Sequence, residues 1–202
     1  MINSVSEILH NIKDHSGMNE WFFYGYLDTN YEDNLYCEIA IINFGNTFAE
    51  SFNSEDIMPN EMIEYIKLHK NYASEEALKT IFALQGNVSS KNFSDEDTRG
   101  QGTIELISFF QNLSFKLQKN ELCDTHCNML LISGETIIIF DSSCKLSNNQ
   151  GRKIIAFNKE NQLNYPPEKK FIKNEKIFFP GTVIGLKFPL PKSMITESNN
   201  AR

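Results

Sequence analysis

The sequence predicts an α/β protein, a two-layer sandwich in which a mixed sheet is covered on one face by helices. Three observations carry that expectation. The chain opens on a helical pattern, runs through two strand-like segments, a helical stretch and a long helix, and closes on a block of strands. That order lacks the regular alternation of strand and helix that a doubly wound parallel sheet would show. Its 202 residues, 41% hydrophobic and 22% charged, have the composition of one globular domain.

Each element has its own signal. Val5, Ile8, Leu9 and Ile12 recur at helical spacing, while Glu7 and Asn11, four apart, share the other face, and Asp14 follows within a turn. Ser16-Gly17 ends that helix with turn chemistry. Trp21 to Leu27 and Leu35 to Phe44 are rich in aromatic and β-branched residues, and the polar Asp28 to Asn34 between them makes a hairpin. Glu61 to His69 and Ser74 to Leu84 carry short helical patterns, and Gly86 to Gly100 is polar and glycine-bounded. Residues from about 46 to 99 therefore read as an insertion of helix and loop, the kind of long excursion that commonly forms a lid.

Ile104, Leu106, Ile107, Phe110, Leu113 and Leu117 then recur at helical spacing from Gly102 onward. Met129 to Ser133, Thr136 to Phe140, Lys153 to Phe157 and Val183 to Leu190 read as strands. The single domain spans 1–191, and the polar residues 192–202 form a tail.

A net charge of −7, from 26 acidic and 19 basic residues, gives no electrostatic case for nucleic acid as a partner. A bound polyanion would need a local device of backbone amides, glycine turns and a metal. No apolar run is long enough to span a bilayer, and no basic region precedes an apolar stretch at the start, so the expected setting is cytoplasmic, without a membrane partner. Cys37, Cys123, Cys127 and Cys144 are few and irregularly spaced, which fits a reducing compartment. Cys123, His126 and Cys127, with Cys144, lack the tight paired spacing of a zinc site, and buried thiols are the default reading.

Four segments bear on chemistry. Glu7, Asn11 and Asp14 present two carboxylates and a carboxamide from one helix, a set suited to hydrated magnesium and an activated water. Ile41-Ile42-Asn43-Phe44-Gly45-Asn46 is a strand ending in a polar residue and a glycine. Arg99-Gly100-Gln101-Gly102-Thr103 is a glycine turn opening the long helix, and Phe179-Pro180-Gly181-Thr182 leads into the last strand.

In this order, over about Ser4 to Leu190, the set resembles the GHKL (Bergerat-fold) ATP-binding superfamily of gyrase B, the ninety-kilodalton heat-shock chaperone, MutL and the sensor histidine kinases. The likeness extends to bacterial single-domain proteins of this kind, which also carry a Gly-x-x-Ser-Ser-Lys stretch, here Gly86 to Lys91. The resemblance implies ATP and Mg2+ as cofactors, with the segment around 46–99 acting as a lid. It implies that Asn11 ligates magnesium, that Glu7 is the general base on the attacking water, and that Asp14 lies near the base pocket. Asn43 would accept from the adenine amino group, Gly45 would let backbone approach the base, and Thr182 would add a hydroxyl there. Arg99, Gly100 and Gly102 would meet the phosphates, and Ser89, Ser90 and Lys91 the terminal phosphate on closure.

The sequence departs from that pattern in four places. Asn43 replaces the usual aspartate, Thr47 stands near a missing second glycine, Gln101 and Thr103 replace leucines, and only Met1 to Asn3 precede the motif helix. An element before the motif helix would come from a partner or from another start site, or the domain is pared down. Slow ATP hydrolysis is the first functional expectation. The alternative is a non-hydrolysing, nucleotide-dependent module that switches a partner protein, and a third is a binding module without nucleotide. A partner protein or a homodimer is expected in either nucleotide-dependent case.

Overall fold

The computed structural model describes residues 21–29, 34–53, 58–86, 88, 102–119, 127–141, 143–149 and 151–191. The opening helix pattern with Glu7, Asn11 and Asp14 lies outside them, as do Ser89, Ser90, Lys91, Arg99 and Gly100.

Strand β1 (Trp21–Asp28) and strand β2 (Asn34–Phe44) pair antiparallel, with Trp21 opposite Asn43 and Asp28 opposite Tyr36. This is the hairpin expected from their aromatic and β-branched content. Helices α1 (Asn60–His69), α2 (Glu75–Ala83) and α3 (Gly102–Lys119) follow. Ser74 caps α2 by accepting from Ala77 N at 3.2 Å, and Glu75 and Glu76 complement the positive end of its dipole. Strand β3 (Asn128–Phe140), a short ribbon of β4 (Ser147–Asn149) and β5 (Arg152–Ile154), and the long strand β6 (Ile172–Pro191) complete the chain.

The main sheet has four strands in the order β1-β2-β6-β3, and every pairing is antiparallel. The mixed sheet expected from sequence is therefore not what the described strands form. Parallel neighbours need a crossover, usually a helix, whereas β3 returns to β6 through an irregular segment that carries only the β4–β5 ribbon. Two strands expected at Met129 to Ser133 and Thr136 to Phe140 are one. Gly134, at φ 61°, makes a bulge between them, with register shifts on both sides, instead of a turn. The last strand begins at Ile172 and not at Val183, so Phe179 to Thr182 lie inside it.

One face of the sheet lies in the core. Ile41, Ile184 and Leu131 form one row across β2, β6 and β3, and Ile39, Leu186 and Met129 form the next. Met62, Tyr65, Leu78, Ile81 and Phe82 from α1 and α2, and Leu106, Ile107 and Phe110 from α3, join the same cluster. The helical part of the 46–99 segment is thus built into the core that the sheet shares. No helix among the described residues is long and apolar enough to cross a membrane.

A buried carboxamide ties α2 to the strand ribbon. Gln85, fully buried, donates from Nε2 to Ile81 O at 2.6 Å and to Ile155 O at 2.8 Å, and its Oε1 accepts from Ile155 N at 2.9 Å. Next to it, Arg152 lies 5.3 Å above the Phe82 ring, donates to Gly86 O at 2.9 Å and pairs with Glu61 at 2.6 Å. Gln85→Ala orphans both backbone groups of Ile155 in the interior. The expected cost is about 2–4 kcal/mol, read as a lower urea midpoint with an unchanged slope.

Candidate functional site

The end of β2 meets the middle of β6, and there the structure brings together Asn43 and Thr182, both singled out from sequence. Asn43 stands opposite Thr182, and Thr182 stands opposite Ser133 of β3, so the three form a polar row on the core face. The row continues the stack of Ile41, Ile184 and Leu131 one step along the strands. Alternation explains the placement: residues two apart share a face, so Asn43 follows Ile39 and Ile41 inward. Asn43 is 3% exposed and Ser133 fully buried. Ser133 Oγ lies 3.3 Å from Thr182 Oγ1 and accepts from Phe48 N at 2.9 Å.

Two glycines set the approach of these strands. Gly45, at φ 147°, donates its N–H to Pro180 O at 3.3 Å, so the chain leaving β2 stays tied to β6. Gly181, at φ 137°, faces Phe44 across the ladder. A Cβ there would overlap the carbonyl oxygen of Asn43 and sit 2.9 Å from Phe44 Cα. Above Gly181 the Phe44 and Phe179 rings stand 5.6 Å apart.

Beyond Gly45 the chain turns at once. Thr47 N donates to Glu50 Oε2 at 2.8 Å, and Glu50 N donates to Thr47 Oγ1 at 3.1 Å. This reciprocal cap starts the short 3-10 turn Glu50–Phe52. Thr47, read from sequence as a missing glycine, thus has a structural task of its own.

Gly102 is the first residue of α3. The remaining expected ligands, Glu7, Asn11, Asp14, Ser89, Ser90, Lys91, Arg99 and Gly100, lie outside the described residues. Among the described residues, no group of three or more His, Cys, Asp or Glu stands where it would hold a metal ion. Cys144 is buried, and burial pushes its thiol up to about 12, so it stays protonated at neutral pH. Cys127 packs half-buried against the core, while Cys123 and His126 lie outside the described residues.

Sequence reasoning missed several residues around the row. Glu76, in the first turn of α2, accepts from Glu135 N at 2.7 Å and from Thr136 Oγ1 at 3.4 Å, which docks α2 on the β3 bulge next to Ser133. A lone glycine in a strand pattern, Ser133-Gly134-Glu135-Thr136, was the available signal for that bulge. The outer face of the sheet was missed as well. An open depression of about 520 Å3 there is lined by Tyr24, Tyr26, Ala40, Leu130 and Gly185, with the Lys187–Glu38 pair at 2.6 Å along it. Its signal was β1 itself, apolar at positions of both parities. Comparison with protein-family models, with curated protein sequences and with solved structures finds no match for this chain.

Proposed function

We propose that the chain is an ATP- and magnesium-binding domain of the Bergerat type, a two-layer sandwich that hydrolyses ATP slowly as its lid closes. One observation carries the reading. Asn43 and Thr182, from motif segments far apart in sequence, are cross-strand partners on the core-facing side of the sheet, with Gly45 bonded to Pro180 beside them. The resemblance puts at these positions an acceptor for the adenine amino group, normally an aspartate, a hydroxyl and a close backbone approach, all serving one heterocycle.

The residues present fit the base end of the ligand. Asn43 carries a carbonyl group and Thr182 a hydroxyl, and both border Ile41, Ile184 and Leu131, which are buried in the core, so a purine ring would enter only where the packing beside the row opens. Ser133 anchors the row from below, accepting from Phe48 N and standing 3.3 Å from the Thr182 hydroxyl. In this reading the amides at Gly100 and Gly102, opening α3, receive phosphate oxygens along the helix dipole, with Arg99 beside them. Asn11 holds magnesium, Glu7 takes the proton of the attacking water, and Asp14 stands near the base. Ser89, Ser90 and Lys91 reach the terminal phosphate from the lid. Magnesium, when bound, neutralises phosphate charge that amides alone leave uncompensated.

A second reading, an ATP-occupied switch without turnover that acts on a partner protein, is favoured by Asn43. A neutral carboxamide there replaces the family's aspartate and holds the adenine amino group less strongly.

A thermal melt with ATP and magnesium tests both. At about 100 times Kd the folded state gains roughly 2.7 kcal/mol, or about 5–10 °C in Tm for a chain of this size. Thr182→Val, which keeps shape but removes the hydroxyl, should reduce that gain, and Asn11→Ala should remove its magnesium-dependent part. An unchanged Tm with ATP, at any magnesium concentration, overturns nucleotide binding.

A further inference from the structure

We propose that the chain forms a twofold dimer by antiparallel pairing of β1 with β1 of a second copy, joining two four-stranded sheets into one. Among the described residues β1 is an outer strand of the sheet, paired with β2 alone. Its pairing with β2 is regular over all eight residues, with no bulge. Outer strands are normally protected by charge, proline or a bulge, since a free ladder recruits another strand. From Trp21 to Leu27, β1 has none of these. It carries Phe22, Phe23, Tyr24, Tyr26 and Leu27 at 41%, 45%, 60%, 58% and 42% exposure, so both of its faces are apolar and open.

The partner is identified by the strand's own sequence. Phe23-Tyr24-Gly25-Tyr26-Leu27 reads nearly the same in both directions. Antiparallel pairing about Gly25 therefore sets Tyr24 against Tyr26 of the second copy on one face and Phe23 against Leu27 on the other, each twice. Gly25 meets its own equivalent at the axis, where no side chain obstructs approach. Such aromatic cross-strand pairs are the units that stabilise a sheet.

Charge agrees. The chain is net −7, so most of its surface repels a second copy, whereas β1 is uncharged from Trp21 to Leu27. The nearby Glu38 is compensated by Lys187 at 2.6 Å. The area is at the small end: these side chains are already about half covered, so complete coverage in both copies removes at most about 1,000 Å2 from water, which fits a weak, concentration-dependent dimer. Because the pairing is isologous it closes at two copies and does not propagate into a fibre.

Sedimentation of the full chain over a concentration series, with and without Tyr24→Lys, tests this. The parent should shift from monomer to dimer in the micromolar range. Tyr24→Lys should weaken the association about tenfold or more, because lysine on an outer strand opposes strand addition. Tyr72→Lys, at an equally exposed residue just after α1, should leave it unchanged. Unaltered circular dichroism of both variants establishes that folding is intact. Mixing Tyr24→Cys with Tyr26→Cys protein of different tag should give more cross-linked heterodimer under mild oxidation than either variant alone. A parent that stays monomeric across the series overturns the proposal, as does a dimer that survives Tyr24→Lys or fails to cross-link in the mixture. Those outcomes would mean that another segment or a different protein covers β1.

Discussion

Gly181→Val is expected to lower stability by about 3–5 kcal/mol, a large share of the roughly 5–15 kcal/mol that holds a domain folded. Two costs combine. At φ 137° Gly181 occupies backbone that side chains rarely adopt, and its missing Cβ is the space that the Asn43 carbonyl fills. The obstructing atoms belong to the backbone of the paired strand, so relief requires moving β2 relative to β6. The ladder between these strands runs from Asn34–Pro191 to Phe44–Gly181, so the strain falls on its last rung. Gly151→Ala supplies the comparison. It has φ 85° and nothing within 4 Å of its would-be Cβ, and so bears the backbone cost alone, about 1–2 kcal/mol. Denaturant midpoints of the two variants read the difference. Equal losses would mean that close approach of β2 contributes nothing at Gly181.

Glu7→Ala carries the second large effect, on rate and not on stability. If Glu7 is the general base, the variant keeps ATP affinity and loses about 10²–10⁴-fold in turnover, since positioning and charge neutralisation survive while activation of water does not. The parent rate expected from slow, closure-coupled hydrolysis is below about 1 s⁻¹. Phosphate release under single-turnover conditions, beside the ATP melt of the same protein, separates the two proposed functions. Tight ATP binding with no turnover in the parent selects the switch. Equal rates in parent and Glu7→Ala remove Glu7 from the mechanism.

What the sequence made legible was local. The β1–β2 hairpin followed from aromatic and β-branched runs around a polar loop, α2 from the short helical pattern of Ser74 to Leu84, and α3 from Ile104, Ile107 and Phe110 at helical spacing. The meeting of Asn43 with Thr182 had no local signal, because cross-strand partners so distant in sequence leave no trace in periodicity. The first half of β6 was hidden by Lys173-Asn174-Glu175-Lys176, whose polarity matches an exposed segment and masks its pairing with β3. Strand direction was invisible for a similar reason. Inward alternation of Ile39, Ile41 and Asn43 fixes which face is buried, not whether a neighbour runs parallel. Ser133 and Glu76 were missed because their roles come from partners elsewhere, Phe48 in one case and the Gly134 bulge in the other.

The strand order β1-β2-β6-β3 carries a consequence for how the chain reaches its fold. Among the described residues the last strand, β6, lies inside the sheet, bonded on both sides, while the first, β1, lies outermost. On a ribosome the β1–β2 hairpin and β3 therefore emerge with nothing to join them, each holding an unfilled ladder and an apolar face until residues 172–191 appear. Assembly of the sheet has to wait for residues 172–191, is dominated by contacts of long sequence separation, and is slow relative to helical domains of similar size. A nascent chain arrested before Ile172 presents two strand systems with unfilled ladders at once, so aggregation is the hazard that β6 removes when it pairs with both.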